Sequence, residues 1–306
     1  MHMLAAIIAL AVERFAQLDP DWRQPARLVA NFDWLKRVLI ARGGALDGLV
    51  GAIVLVVLPA LLVWMIADMI DGWLFGLFDL AFGVLVLMYS LGPVNQVATM
   101  TSIDVALSAG DEADASRGVR AMVDAEPPPR AELWPRAVAR AAVMRANDRL
   151  IAPLFWFLLI GPVGAIVYRV IAVWREDSEA SGFREGARTL HAWAAWLPAR
   201  ILAGAYALVG RFDEVLAAWS VAPFKCAQRD DDAGLCLCTG CAALGIDPHD
   251  DAVAESEGGE GDENDRAVIV IGPADDSLHF AISLLDRVQV LVVALLSLFM
   301  LARLAA

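Results

Sequence analysis

Long uncharged apolar runs, separated by charged connectors, dominate the pattern of this chain. Residues 49–67 and 150–168 each run 19 positions without a charge, and residues 73–91 do so apart from Asp79. A hydrocarbon core about 30 Å thick takes roughly 20 helical residues, so these three runs predict membrane segments. Residues 288–302 make a fourth, extendable through Leu284 and Leu304. Residues 189–210 make a fifth, weakened by Arg200 and Pro198, which reads as a tilted span, an interfacial helix or a helix packed on the others. Residues 3–12 are apolar but too short to cross. Without a basic start or a small-residue cleavage site they predict a membrane-seated first helix kept in the mature protein, not a signal peptide. The expected fold is all-α: a polytopic helical membrane protein with four to five membrane segments and helical cytoplasmic insertions.

The connectors set the expected orientation, because cytoplasmic loops are enriched in Lys and Arg. Residues 13–47 hold six basic side chains and residues 92–149 hold seven, whereas the link 68–72 holds none. The first two runs therefore predict a hairpin whose tip points out of the cytoplasm. Carrying 150–168 outward would leave Arg169, Arg175, Arg184 and Arg188 outside. The rule survives if that run re-enters at Gly161 and Pro162, or if 189–210 returns the chain at once. Either solution leaves the following segment cytoplasmic.

Within the first large connector, residues 116–125 have helical spacing, Pro127, Pro128 and Pro129 stop it, and a new helix starts near Ala131. That helix would carry Arg136 and Arg140, then Arg145 and Arg149, four apart and on a shared face. The stripe reads either as a solvated or headgroup-facing basic surface or as an anion site for a phosphorylated ligand.

Composition sharpens this picture in one place. With 59% hydrophobic residues the chain is too apolar for a purely soluble reading, and a net charge of −13 argues against a nucleic-acid partner. Residues 211–286 hold 17 acids against four bases, so the remainder, with 20 of each, is neutral. Within the acidic stretch, residues 252–265 carry no base and three glycines, which predicts a disordered or mobile loop; residues 267–272 look like a short strand.

The acidic segment also holds all four cysteines, Cys226, Cys236, Cys238 and Cys241, within 16 residues. No cofactor is certain. The cluster is a candidate zinc or iron–sulfur site, and the alternatives are buried or redox-active free thiols and a disulfide, which a cytoplasmic location disfavours. Asp79 falls in the middle of its run, where a charge needs a partner or a wet cavity, unless the span begins later. His191 is the one histidine beside a membrane run, and no partner for it is evident. No phosphate-binding loop, nucleophile elbow or His-Glu-x-x-His motif occurs: Gly161-Pro162-Val163-Gly164 lacks the lysine, and its proline lacks a backbone donor.

Residues 147–169 (NDRLIAPLFWFLLIGPVGAIVYR), then Trp196-Leu197-Pro198-Ala199-Arg200 and Ala207-Leu208-Val209-Gly210, resemble the AmpE/CobD (CbiB) family of integral membrane proteins. Glu13-Arg14-Phe15 looks like the AmpE branch. The CobD branch follows its Tyr-Arg or Tyr-Lys position with Asn-Thr-Leu-Asp-Ser and carries an early His-Pro-Val. Here Tyr168-Arg169 continues as Val170-Ile171-Ala172, and the early region reads Gln24-Pro25-Ala26-Arg27. Both departures point to the AmpE side.

The matched positions are Asn147, Pro153, Trp156, Gly161, Pro162, Tyr168, Arg169, Trp196, Pro198 and Arg200. Packing explains Pro153, Trp156, Gly161, Pro162, Trp196 and Pro198. Asn147, Tyr168, Arg169 and Arg200, with the arginine stripe, are ligand-binding candidates; no catalytic residue is identified.

The resulting division is 1–46, a membrane-associated helix and basic loop; 47–92, a transmembrane hairpin; 93–149, a helical insertion; 150–210, the family-motif region; 211–286, the acidic Cys-containing segment; and 287–306, a C-terminal span. The resemblance implies a bacterial inner-membrane regulatory or sensory protein linked to β-lactamase induction and cell-wall recycling. The alternatives are a CobD-type amide ligase acting on a phosphorylated amine in cobalamin biosynthesis (adenosylcobinamide-phosphate synthase), and a membrane-anchored module docking a cytoplasmic protein through its acidic segment.

Overall fold

A computed structural model describes residues 2–15, 49–70, 76–92, 95–123, 125–175, 181–226, 231–248 and 276–305. The expected acidic loop at 252–265, the strand-like run at 267–272 and the basic loop after Phe15 lie outside the described residues. In chain order the helices are α1 (His2–Phe15), α2 (Leu49–Ile70), α3 (Leu77–Ser90), α4 (Gln96–Ser108), α5 (Glu112–Val123), α6 (Trp134–Ala146), α7 (Ala152–Ile160), α8 (Pro162–Trp174), α9 (Ser181–Val209), α10 (Phe212–Lys225), α11 (Asp231–Leu244) and α12 (Ser277–Ala305). A 3-10 turn (Ala131–Leu133) precedes α6, and a π turn (Asn147–Ile151) joins α6 to α7. The described residues contain no strand, and the protein is an all-α membrane protein.

Three helices are long and apolar enough to cross a bilayer among the described residues: Leu49–Ile70, Arg184–Val209 and Ser277–Ala302. The α2 span exposes Leu58, Leu61, Leu62 and Met65, side chains that water would not favour and lipid does. The fifth, weak run thus lies in a full-length helix, while the clear-cut run at 150–168 is not one span. It breaks at Gly161 (φ 81°), which caps both α7 and α8. Nine residues of α7 rise only about 14 Å, half a hydrocarbon core. The chain then packs α8 back on α7: a Cβ at Gly164 would lie 2.3 Å from the Trp156 carbonyl oxygen. The break falls at Gly161 and Pro162, where one of the two expected topologies places its turn.

The chain forms two compact units, each discontinuous in sequence. The first comprises residues 1–95, 147–199 and 292–306. Here the small side chains Ala5, Ala6 and Ala9 of α1, with Leu10, pack on Leu87 and Met88 of α3 and on Leu154 and Phe157 of α7. Small residues let helix backbones approach closely where water offers no driving force. A second cluster joins Ala52 and Val56 of α2 to Val170 and Trp174 of α8 and Ala187 of α9.

The other unit comprises residues 96–146 and 200–291. Helix α5 begins where Asp111 Oδ1 accepts the Asp114 backbone N–H at 3.0 Å, an N-cap that starts it four residues before the expected position. Helix α11 lies directly on α6, where Gly240 leaves no room for a side chain: a Cβ there would meet Val143 Cβ at 2.5 Å. Tyr206 of α9 donates to the Val143 carbonyl at 2.9 Å.

Candidate functional site

Pro153 shapes the backbone that carries the site. It has no N–H to offer the carbonyl of Arg149, and its ring crowds that oxygen. The helix widens into a π turn just ahead of it, over Asn147–Ile151. Such turns are costly and recur at functional sites. This one carries Asp148, on which three other side chains of the first unit converge.

Tyr168 of α8 donates its hydroxyl to Asp148 Oδ1 at 2.5 Å, and Arg175 Nη2 donates to Oδ2 at 2.6 Å. His191 Nε2 lies 3.2 Å from Oδ1 and 3.1 Å from the Tyr168 oxygen, and Arg175 Nη1 sits 2.9 Å from both imidazole nitrogens. Side-chain exposure is 16% for Arg175, 19% for Asp148 and 4% for His191. Burial alone would raise the Asp148 carboxyl. The charges of His191 and Arg175, helped by hydrogen bonds from His191 and Tyr168, outweigh it and hold the group well below the usual carboxylate range. Asn147, one residue upstream, is buried, and its Oδ1 has no hydrogen-bond partner among the described residues.

Such a site has an ionised acid fixed between a guanidinium, an imidazole and a phenol. It can move a proton between Tyr168, His191 and Asp148, or release Arg175 and His191 to a competing anion. Tyr168 and Asn147 were legible as candidates. Asp148, Arg175 and His191 were not assembled from sequence, although Asp148 stands inside the quoted Asn-Asp-Arg block.

The other candidates go elsewhere. Arg169 is buried, with its guanidinium near Gly92, where a Cβ would meet Nη1 at 3.6 Å. Arg200 pairs with Asp232 at the start of α11, Oδ1 at 3.2 Å. All four arginines of the expected stripe are half-buried. Most of α6 is buried, and Arg145 donates to the Met122 and Val123 carbonyls at 2.9 Å each, closing the end of α5. Arg136 and Arg140 are half-buried on the same helix, and the π turn puts Arg149 out of its 3.6-residue register. Asp79 sits in the first turn of α3, which starts at Leu77, where the helix dipole favours its carboxylate.

Trp156 and Pro198 form one device. Pro198 lacks the N–H that would close on the Ala194 carbonyl, and Trp156 Nε1 donates to that oxygen at 3.0 Å instead. Trp196 is exposed and Pro162 opens α8. The cysteines do not converge as a four-thiolate cage: Cys226 and Cys238 form a disulfide with Cα atoms 5.9 Å apart, while Cys236 and Cys241 are separate buried thiols. No group of three metal-donor side chains occurs among the described residues.

The geometry defines a helical membrane protein built around a broken helical hairpin with a buried Asp-Tyr-Arg-His cluster. Residues 1–257 match the family described as "Regulatory signalling modulator protein AmpE", and the chain belongs to that family. It is also similar to a protein named "Cobalamin biosynthesis protein CobD" from Stutzerimonas stutzeri (strain A1501), 32% identical over 212 residues, 63% of each chain. A protein of the same name from Chromobacterium violaceum is 32% identical over 125 residues, 36% of each. The chain thus aligns with less than two thirds of the length of either relative. No solved structure matches.

Proposed function

We propose that this chain is a multi-pass inner-membrane regulatory protein that responds to a ligand through the Asp148 cluster, in the pathway linking cell-wall recycling to β-lactamase induction. Its membership of the AmpE family supports the regulatory role, and the cluster is the observation that carries the site. A phosphate or carboxylate competes with Asp148 for Arg175 and His191, and each exchange changes which helices Asp148 ties to the π turn. Deletion in the native host, scored as β-lactamase activity after exposure to a β-lactam, tests this. Induction should change, wild-type gene should restore it, and Asp148→Asn at equal membrane abundance should not. An unchanged response in the deletion strain overturns the reading.

A second reading is a CobD-type membrane ligase joining a phosphorylated amine to a corrinoid acid, and the relative from Stutzerimonas stutzeri supports it. Growth of a strain blocked at aminopropanol attachment, when given this gene, would establish that activity. No growth despite good membrane expression would remove it.

A further inference from the structure

The second unit holds a cavity of about 360 Å³ that the Asp148 cluster does not use. Val209 from the end of α9, Leu244 from α11, and Phe280 and Leu284 from α12 give it apolar walls. Among the described residues its charged lining is Arg211 and Arg287. In a segment with an excess of 13 negative charges, an apolar cavity edged by two arginines is set against its surroundings.

The arginines stand at informative positions. The uncharged run 201–210 ends at Arg211, and the uncharged run 288–302 begins just after Arg287. Arg211 follows α9 as the residue that caps α10, and Arg287 lies inside α12 just before its uncharged stretch; Arg184–Val209 and Ser277–Ala302 are each long and apolar enough to span. Arginines at such positions reach lipid headgroups. Arg211 is also held in place: its guanidinium lies against Gly245, which has φ 72° and no side chain to obstruct it, and it pairs with Glu214. On α12, Phe280, Ser283, Leu284 and Arg287 follow the 3, 4, 7 spacing of one helix face, so apolar wall, hydroxyl and cation succeed one another along the cavity.

We infer that this cavity binds the phosphate headgroup of an anionic phospholipid, with Arg211 and Arg287 on the phosphate and the acyl chains leaving toward the uncharged stretch of α12 that follows Arg287. The volume suits a headgroup and not a whole lipid.

Native mass spectrometry of the full chain in detergent, titrated with phosphatidylglycerol, phosphatidylcholine or inorganic phosphate, tests the assignment. Phosphatidylglycerol should bind in preference to phosphatidylcholine, and inorganic phosphate should not displace it. At about fivefold per arginine, the Arg211→Ala/Arg287→Ala double variant should bind phosphatidylglycerol about 25-fold more weakly. Arg287→Gln alone removes an exposed side chain, so it tests the site even if the double variant fails to fold, and about fivefold weaker binding is expected. Arg117→Ala, an exposed arginine on α5, should change nothing. Unchanged binding in Arg287→Gln, or equal binding of the two lipids, overturns the site. Displacement by inorganic phosphate overturns the lipid as its occupant.

Discussion

Replacing Asp148 by Asn removes the negative charge that Arg175 and His191 share while keeping the size of the side chain. Breaking a buried ion pair from one side costs about 3–5 kcal/mol, because the remaining charge stays desolvated. Asp148 and Arg175 are 19% and 16% exposed, so partial screening places the expected loss at the lower end, about 3 kcal/mol. For a chain of this size that lowers the thermal midpoint by about 6 °C. Thermal unfolding of the purified protein in detergent measures it, with the exposed Glu126→Gln as a control expected to stay within about 0.5 kcal/mol. Arg175→Gln should cost a similar amount, and the double variant should cost less than the sum by about 1–2 kcal/mol, since the second change removes the stranded charge. The pH dependence has a definite sign. The folded carboxyl is held below its ordinary value, so its contribution is complete above the usual carboxylate range and is lost as pH falls through and below it. Asp148→Asn should abolish that acid-side loss. Additive single variants, or an acid slope undiminished in Asp148→Asn, would refute the reasoning.

Three further outcomes follow from packing and bonding. Trp156→Phe should cost about 1 kcal/mol by stranding the Ala194 carbonyl, and less in a Pro198→Ala background, where the helix regains its own donor; equal costs in both backgrounds would separate the two residues. Gly240→Ala should destabilise by about 1–3 kcal/mol through the clash with Val143, and Val143→Ala should recover part of it, read from the same melting curves. Mass mapping after alkylation without reductant should recover a peptide pair joined through Cys226 and Cys238, while Cys236 and Cys241 label only on unfolding; four thiols labelling together in the native protein would exclude the disulfide. Because the bridge closes a short loop of 12-residue separation, reduction should cost about 3 kcal/mol.

The hydrophobic pattern made the fold class legible because bilayer thickness imposes a length that side-chain chemistry shows directly. It placed 49–67 within α2 and 288–302 within α12. For 150–168 hydropathy showed one unbroken run, because it is blind to backbone direction: Gly161 turns the chain without adding a charge, and only the arginines that follow raised re-entry there as an alternative. The same blindness ranked 189–210 last, since Pro198 and Arg200 look like interruptions until Trp156 and Asp232 answer them. At Arg149 the spacing of the arginine stripe misleads for a related reason. Equal spacing means a shared face only while the helix stays α, and the π turn ends that condition before Arg149.

The site itself depends on those backbone irregularities. Asp148, Tyr168, Arg175 and His191 come from the π turn, α8, the end of α8 and α9, and no sequence spacing relates them. Pro153 sets where the π turn falls, and Gly161 with Pro162 reverses the chain so that α8 brings Tyr168 and Arg175 back to it. Pro198 opens a carbonyl on α9 that Trp156 of α7 secures, fixing the helix that carries His191 to the helix that follows Asp148. The prolines, glycine and tryptophan that sequence alone assigns to packing are therefore positioning residues for the polar cluster. Changing them should disturb the cluster without touching it.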